Sequence, residues 1–98
     1  MKFIVNEIST NNGVILVVTD KELIGKKLSN DKIDIDLSIK FFQGCEFDKK
    51  KIIDKIKCSY ILHFTGKESL KILKELNLVD NNKIMIIQDI PHAEVYMG

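Results

Sequence analysis

Two runs of β-branched and aliphatic residues open the chain, Lys2-Phe3-Ile4-Val5-Asn6-Glu7-Ile8 and Val14-Ile15-Leu16-Val17-Val18-Thr19, with Asn11-Asn12-Gly13 between them. Such runs favour extended backbone and Asn-Gly is the dipeptide of the type I′ reversal, so the pattern predicts an antiparallel hairpin. Thr19-Asp20-Lys21-Glu22 has the spacing of a capping box. It predicts a short helical turn carrying Leu23 and Ile24, closed by Gly25. Strict alternation in Ile33-Asp34-Ile35-Asp36-Leu37-Ser38-Ile39 predicts a strand buried on one face. Phe41-Phe42-Gln43-Gly44-Cys45-Glu46-Phe47 continues as extended chain, with Gly44 marking a bulge or tight reversal.

In the second half the apolar spacing widens from two to three or four. Asp48 is placed to cap a helix through about Lys57, with Ile52, Ile53 and Ile56 facing inward. Ser59-Tyr60-Ile61-Leu62-His63-Phe64 predicts a strand, and Thr65-Gly66-Lys67-Glu68 a second capping box. The helix it opens runs to about Asn77, with Leu70, Leu73 and Leu76 on its core face. Beyond the polar Asp80-Asn81-Asn82 turn, Lys83-Ile84-Met85-Ile86-Ile87-Gln88 predicts another strand. Strand, helix and strand in succession make a βαβ unit, whose strands are expected parallel and whose crossover right-handed. A hairpin followed by a βαβ unit implies a mixed sheet with both helices on one face. The predicted fold is therefore an α/β fold of the α+β type, a two-layer sandwich forming a single domain over residues 1–98.

Composition narrows the function classes. A chain of 98 residues supports one hydrophobic core, and 45% hydrophobic with 30% charged residues is ordinary for a globular protein. No apolar run approaches the roughly 20 residues that span a bilayer. Met1 to Glu7 turns polar too early for a secretory segment, so a cytoplasmic protein without membrane association is expected. Cys45 and Cys58 are then reduced thiols, too far apart for a redox pair. A net charge of +1 removes the simplest argument for a polyanionic partner. All 15 basic residues are lysines, which lack the bidentate geometry of arginine and so disfavour sequence-specific nucleic-acid readout. A bias of the whole sequence toward Lys, Ile and Asn accounts for the same fact.

Five groups of residues can carry chemistry, and each has a structural alternative. Lys49, Lys50 and Lys51 open a helix, where cations oppose the macrodipole and a bound anion such as an RNA phosphate would relieve them; with Lys55 and Lys57 they form the best basic patch. Charge runs are more often a solvated face. Thr65-Gly66-Lys67-Glu68-Ser69 follows a strand and opens a helix, but it lacks the upstream glycine of a phosphate loop and has Glu68 where the hydroxyl residue belongs. The capping box explains it without a ligand. Cys45, Cys58, His63 and His92 have no paired metal-ligand spacing, and His63 reads as a core or edge histidine; no metal and no cofactor are expected. Asp34 and Asp36 share a strand face that suits a cation or edge protection. Ile90-Pro91-His92-Ala93-Glu94-Val95 places His92 and Glu94 on one face of an extended segment beyond the last core strand. There Glu94 can orient the imidazole and raise its pKa, or His92 can simply pin the C-terminal segment.

Taken in order, Glu22-Leu23-Ile24-Gly25-Lys26, Phe42-Gln43-Gly44, the strand closing at Gly66 and Ile90-Pro91-His92-Ala93-Glu94-Val95 resemble the archaeal domain of unknown function 424 family over essentially the whole chain. The Pro91-His92-Ala93 run is the most specific of these motifs. The resemblance implies a small archaeal cytoplasmic protein with a two-layer α/β sandwich, and carries no activity with it. Gly25, Gly44 and Gly66 match the family pattern and have backbone explanations, whereas Lys26, Pro91 and His92 match without one. Lys67 and Glu94 depart from an acidic residue and a glutamine.

The leading expectation is a non-catalytic binding module for a protein or ribonucleoprotein partner, translation-associated RNA being the specific version. Its candidate binding residues are Lys26, Pro91, His92, Lys49, Lys50 and Lys51. No catalytic set is complete. The rival expectation is a small enzyme using His92 with Lys26 or with Asp34 or Asp36. A third is a homodimer formed by an exposed sheet edge pairing with itself.

Overall fold

The opening runs form β1 (Phe3–Thr10) and β2 (Gly13–Asp20), antiparallel from Phe3 opposite Asp20 to Thr10 opposite Gly13. The structure is a computed structural model and describes residues 2–97. The reversal is not type I′, because Asn11 and Asn12 stay out of the positive-φ region and Gly13 alone enters it, at +134°. The hairpin itself is as expected.

Both main helices form where the apolar spacing places them. Asp48 accepts the Lys51 N–H at 2.8 Å and so caps α1 (Lys49–Ile56), which buries Ile52 and Ile56. In α2 (Lys67–Glu75) the buried residues are Ser69, Leu70, Ile72 and Leu73, while Leu76 lies beyond the helix and is 37% exposed. These apolar stripes pack on one face of the sheet against Phe3, Val5, Leu16, Val18, Leu62, Phe64 and Ala93. The expected helix layer is thus present.

That sheet has six strands in the order β5-β1-β2-β6-β8-β7, with β5 (Cys45–Phe47), β6 (Ser59–Thr65), β7 (Met85–Ile87) and β8 (Ile90–Tyr96). Only β2 and β6 pair in parallel; the other four pairings are antiparallel, so the sheet is mixed. Here the expected βαβ unit needs correction. β7 runs in the direction of β6 across α2, but β8 lies between them and is antiparallel to both. The residues from Ile90 onward are therefore an internal strand and not a tail beyond one. The reversal that folds β8 back is Gln88-Asp89, with φ of +52° and +65°, a two-residue turn made without glycine.

On the second face an arm covers β1 and β2. It consists of 3-10 turns at Lys21–Leu23 and Lys40–Phe42 and a two-stranded sheet of β3 (Lys27–Ser29) and β4 (Asp34–Asp36). Leu23, Leu28, Leu37 and Phe42 pack with Val17 and Ile87 to form a second cluster. The expected strand at 33–39 shrinks to three residues because Asp36 Oδ1 accepts both the N–H and the hydroxyl of Ser38, turning the chain. Gly44 brings the chain in so closely that a Cβ there would lie 1.9 Å from Val5 O.

Candidate functional site

At the ends of β2 and β6 the chain closes on itself. Asp20 is 2% exposed, and its carboxylate accepts the Glu68 N–H at 3.1 Å, the Ser69 N–H at 2.8 Å and the Ser69 hydroxyl at 2.7 Å. It therefore supplies the anion that the start of α2 attracts. Gly66 makes this possible: its φ is +113°, and a Cβ would lie 2.2 Å from Asp20 Cγ. Neither predicted capping box forms. Thr19 and Thr65 are strand residues, and the cap of α2 comes from Asp20, far away in sequence. The phosphate-loop position around Gly66 is filled by the protein's own carboxylate.

The second face of the sheet carries three cross-strand rows where the arm stops. Thr19, Thr65, His92 and Met85 stand side by side across β2, β6, β8 and β7. Val17, His63 and Glu94 form the next row, and Ile15, Ile61 and Tyr96 the third. His92 is 7% exposed, and its Nδ1 shares a 2.7 Å hydrogen bond with the Thr65 hydroxyl. Its ring centroid lies 6.1 Å from that of His63, against which Phe41 packs edge-on at 5.2 Å. Glu94 turns away from His92: its Oε2 lies 3.8 Å from His63 Nε2, and its Oε1 accepts the Tyr96 hydroxyl at 2.7 Å. That bond favours the neutral phenol and holds the Tyr96 pKa above its ordinary value.

The expectation that Glu94 raises the His92 pKa is overturned. Burial, with the neighbouring His63, outweighs the carboxylate and lowers it to about 4. His63 is lowered too, again by burial against the opposing pull of Glu94. His92 is thus a neutral imidazole at pH 7, built into the sheet.

Pro91 also acquires a backbone reason. Gly66 donates to Pro91 C=O at 2.9 Å, while Gly66 C=O is taken by the Leu70 N–H at 3.0 Å. In a strand a residue's N–H and C=O point to the same side, so an N–H at position 91 would face a carbonyl already committed to the helix. Proline leaves none to satisfy.

Beyond this point β8 has an open edge. β7 covers Ile90, Pro91 and His92 and stops at Met85. Odd-numbered residues bond inward, as Gly66 to Pro91 and Met97 to Tyr60 show. Glu94 and Tyr96 therefore direct two N–H and two C=O groups outward, with no strand beside them among the described residues. Along this edge runs a cleft of about 460 Å³, lined by Leu78, Val79, Lys83, Met85, His92 and Tyr96 among others. Of the six large apolar residues most exposed among the described residues, Met85, Ile86, Tyr96 and Met97 lie on β7, on β8 or directly after it.

The other sequence-predicted residues lie elsewhere. Lys49 is paired with Glu75 at 2.7 Å, Lys51 sits 4.0 Å above the Phe47 ring and Lys55 meets Glu7 at 3.4 Å. Lys50 makes no ion pair among the described residues. Lys26 lines a separate groove with Gln88 and Ile90, and its C=O accepts the Leu37 N–H at 2.8 Å, tying the arm together. Neither Lys26 nor Asp34 nor Asp36 lines the cleft that holds His92. Cys45 and Cys58 are exposed, and the described residues include no cluster of three or more His, Cys, Asp or Glu able to hold a metal ion. No helix among the described residues is long and apolar enough to cross a membrane. The open edge was missed in sequence because the non-glycine turn at Gln88-Asp89 hid β8.

Comparison with known proteins agrees with this architecture. The model of a family described as protein of unknown function (DUF424) matches residues 8–97. The crystal structure of an uncharacterized conserved protein from Methanopyrus kandleri superposes with a TM-score of 0.82 at 18% identity, covering 99% of this chain and 92% of that one. At that identity the likeness concerns the fold alone. No curated protein matches the chain.

Proposed function

This chain belongs to the DUF424 family of proteins of unknown function, and from that premise we propose that it is a cytoplasmic, non-catalytic binding module whose docking surface is the open edge of β8. The observation that carries this reading is the outward set of main-chain groups at Glu94 and Tyr96, flanked by exposed Met85, Ile86 and Met97. Unpaired donors and acceptors on a sheet edge recruit an extended segment of another polypeptide, and the neighbouring apolar side chains add burial. The ligand class is therefore a protein strand. His92 serves as part of the rigid floor: its neutral ring, held by Thr65, completes the cleft without adding charge to it.

The ribonucleoprotein version of the reading places the contact on Lys49, Lys50 and Lys51 instead. Capture from the native cell, with and without nuclease, separates the two. The edge reading expects a bound protein that survives nuclease, is lost with Tyr96→Pro and is indifferent to joint Lys49→Glu, Lys50→Glu and Lys51→Glu substitution. Loss on nuclease treatment and on charge reversal, with steep weakening by salt, is the result that supports RNA instead.

A further inference from the structure

We propose that the occupant of the β8 edge is a second copy of this chain, joined β8 to β8 about a two-fold axis at Val95. The inference rests on the docking reading above and adds the identity of the partner. Because, among the described residues of the open stretch, only Glu94 and Tyr96 direct main-chain groups outward, antiparallel pairing of two copies must set even-numbered residues against even-numbered ones. Few registers satisfy this. Glu94 opposite Glu94 sets two carboxylates against each other and brings Tyr96 of the second copy opposite His92, a position already held by Met85.

Glu94 opposite Tyr96 of the second copy separates the two carboxylates and moves the second copy's Tyr96 off the position held by Met85. Each Glu94 N–H and C=O then meets a Tyr96 C=O and N–H, closing four main-chain hydrogen bonds about the axis. Side chains agree with the backbone. A tyrosine hydroxyl meets a carboxylate across the strands, the same pairing that Tyr96 and Glu94 make within one strand at 2.7 Å. Val95 meets Val95, a favourable β-branched pair. Met97 of the second copy falls opposite Ala93, on the face of the sheet that packs the helices, which gives that exposed methionine an apolar neighbour. The interface is isologous and needs no group the chain lacks.

Sedimentation equilibrium of the full chain over a wide concentration range tests this directly. The apparent mass is expected to double as concentration rises, and Tyr96→Pro, which removes an N–H that points away from the monomer's own sheet, is expected to abolish the rise while keeping the wild-type circular dichroism and melting. A disulfide trap reads the register independently of the Pro variant. In a Cys45→Ser/Cys58→Ser background, Val95→Cys places two thiols at a directly opposed pair, with Cα atoms about 4.5 Å apart. It should crosslink fully between copies, whereas Glu94→Cys should not. A single-chain mass at every concentration, or equal crosslinking of the two cysteine variants, overturns the proposal. If the chain stays monomeric while Tyr96→Pro still removes a captured partner, the second copy is wrong and the docking edge stands.

Discussion

The two sides of Thr65 and His92 handle the same problem in opposite ways. On one side the start of α2 presents unpaired N–H groups, and the chain satisfies them internally with Asp20, at the cost of requiring glycine at position 66. On the other side β8 presents outward groups at Glu94 and Tyr96, and no strand among the described residues satisfies these. A glycine-containing strand-to-helix junction is the usual place to look for a ligand; here it is a structural knot. The difference shows that the site is found by asking where main-chain hydrogen bonding stops, not by which motif looks familiar.

Breaking the closed side gives the largest effect. Gly66→Ala forces a Cβ into Asp20 and a non-glycine residue into positive φ, and Asp20→Ala leaves two helix N–H groups and a buried hydroxyl unpaired. Each should lower the unfolding free energy by about 3–5 kcal/mol in urea titrations. Acid probes the boundary between the two sides. His92 binds its proton less readily folded, at about 4, than unfolded, near the ordinary 6.5. Between those values the unfolded chain therefore holds more protons, so the stabilisation is complete above about pH 6.5 and is lost as pH falls toward 4, amounting to about 3 kcal/mol. Titrating stability of wild type against His92→Gln isolates this, since the variant keeps the carboxylate contribution and loses the histidine one.

Two smaller effects sharpen the contrast. The buried Thr19 hydroxyl has no hydrogen-bond partner among the described residues, so Thr19→Val should raise stability by up to about 1 kcal/mol in the same titration. A closed region that tolerates no change would be at odds with that gain. Tyr96→Pro should move stability by no more than about 0.5 kcal/mol, because the N–H it removes is outside the monomer's ladder. Its effect is expected in association alone.

Much of the fold was legible because its signals are local. The Asn11-Asn12-Gly13 reversal, the Asp48 cap and the Ile52, Ile53, Ile56 stripe each depend on residues a few positions apart, and each led to the right element. The missed caps and the missed partner of His92 share one physical cause: the decisive partner is distant in sequence. Thr19 and Thr65 have the spacing of caps, yet Asp20 reaches across 48 residues to hold Glu68 and leaves Thr65 free for His92. The alternation at 33–39 was real, but Asp36 turned the chain on Ser38 before a long strand could form. Of the candidate site, His92 lies in the cleft, but the partner expected for it lies elsewhere: Thr65 bonds its ring, and Glu94 serves His63 and Tyr96 instead. The edge itself could be seen only once Gln88 and Asp89 were known to turn without glycine.

Residue-resolved amide exchange, measured on dilute and concentrated protein, tests the central claim most directly. In dilute solution the Glu94 and Tyr96 amides should exchange at rates close to those of an unstructured peptide, while Ser69, bonded to Asp20, and Ala93 and Val95, which face β6, stay protected. On concentration, protection should appear at Glu94 and Tyr96 and nowhere else on β8. Protection of those two amides already present in the dilute chain, or rapid exchange unchanged by concentration, would contradict the account.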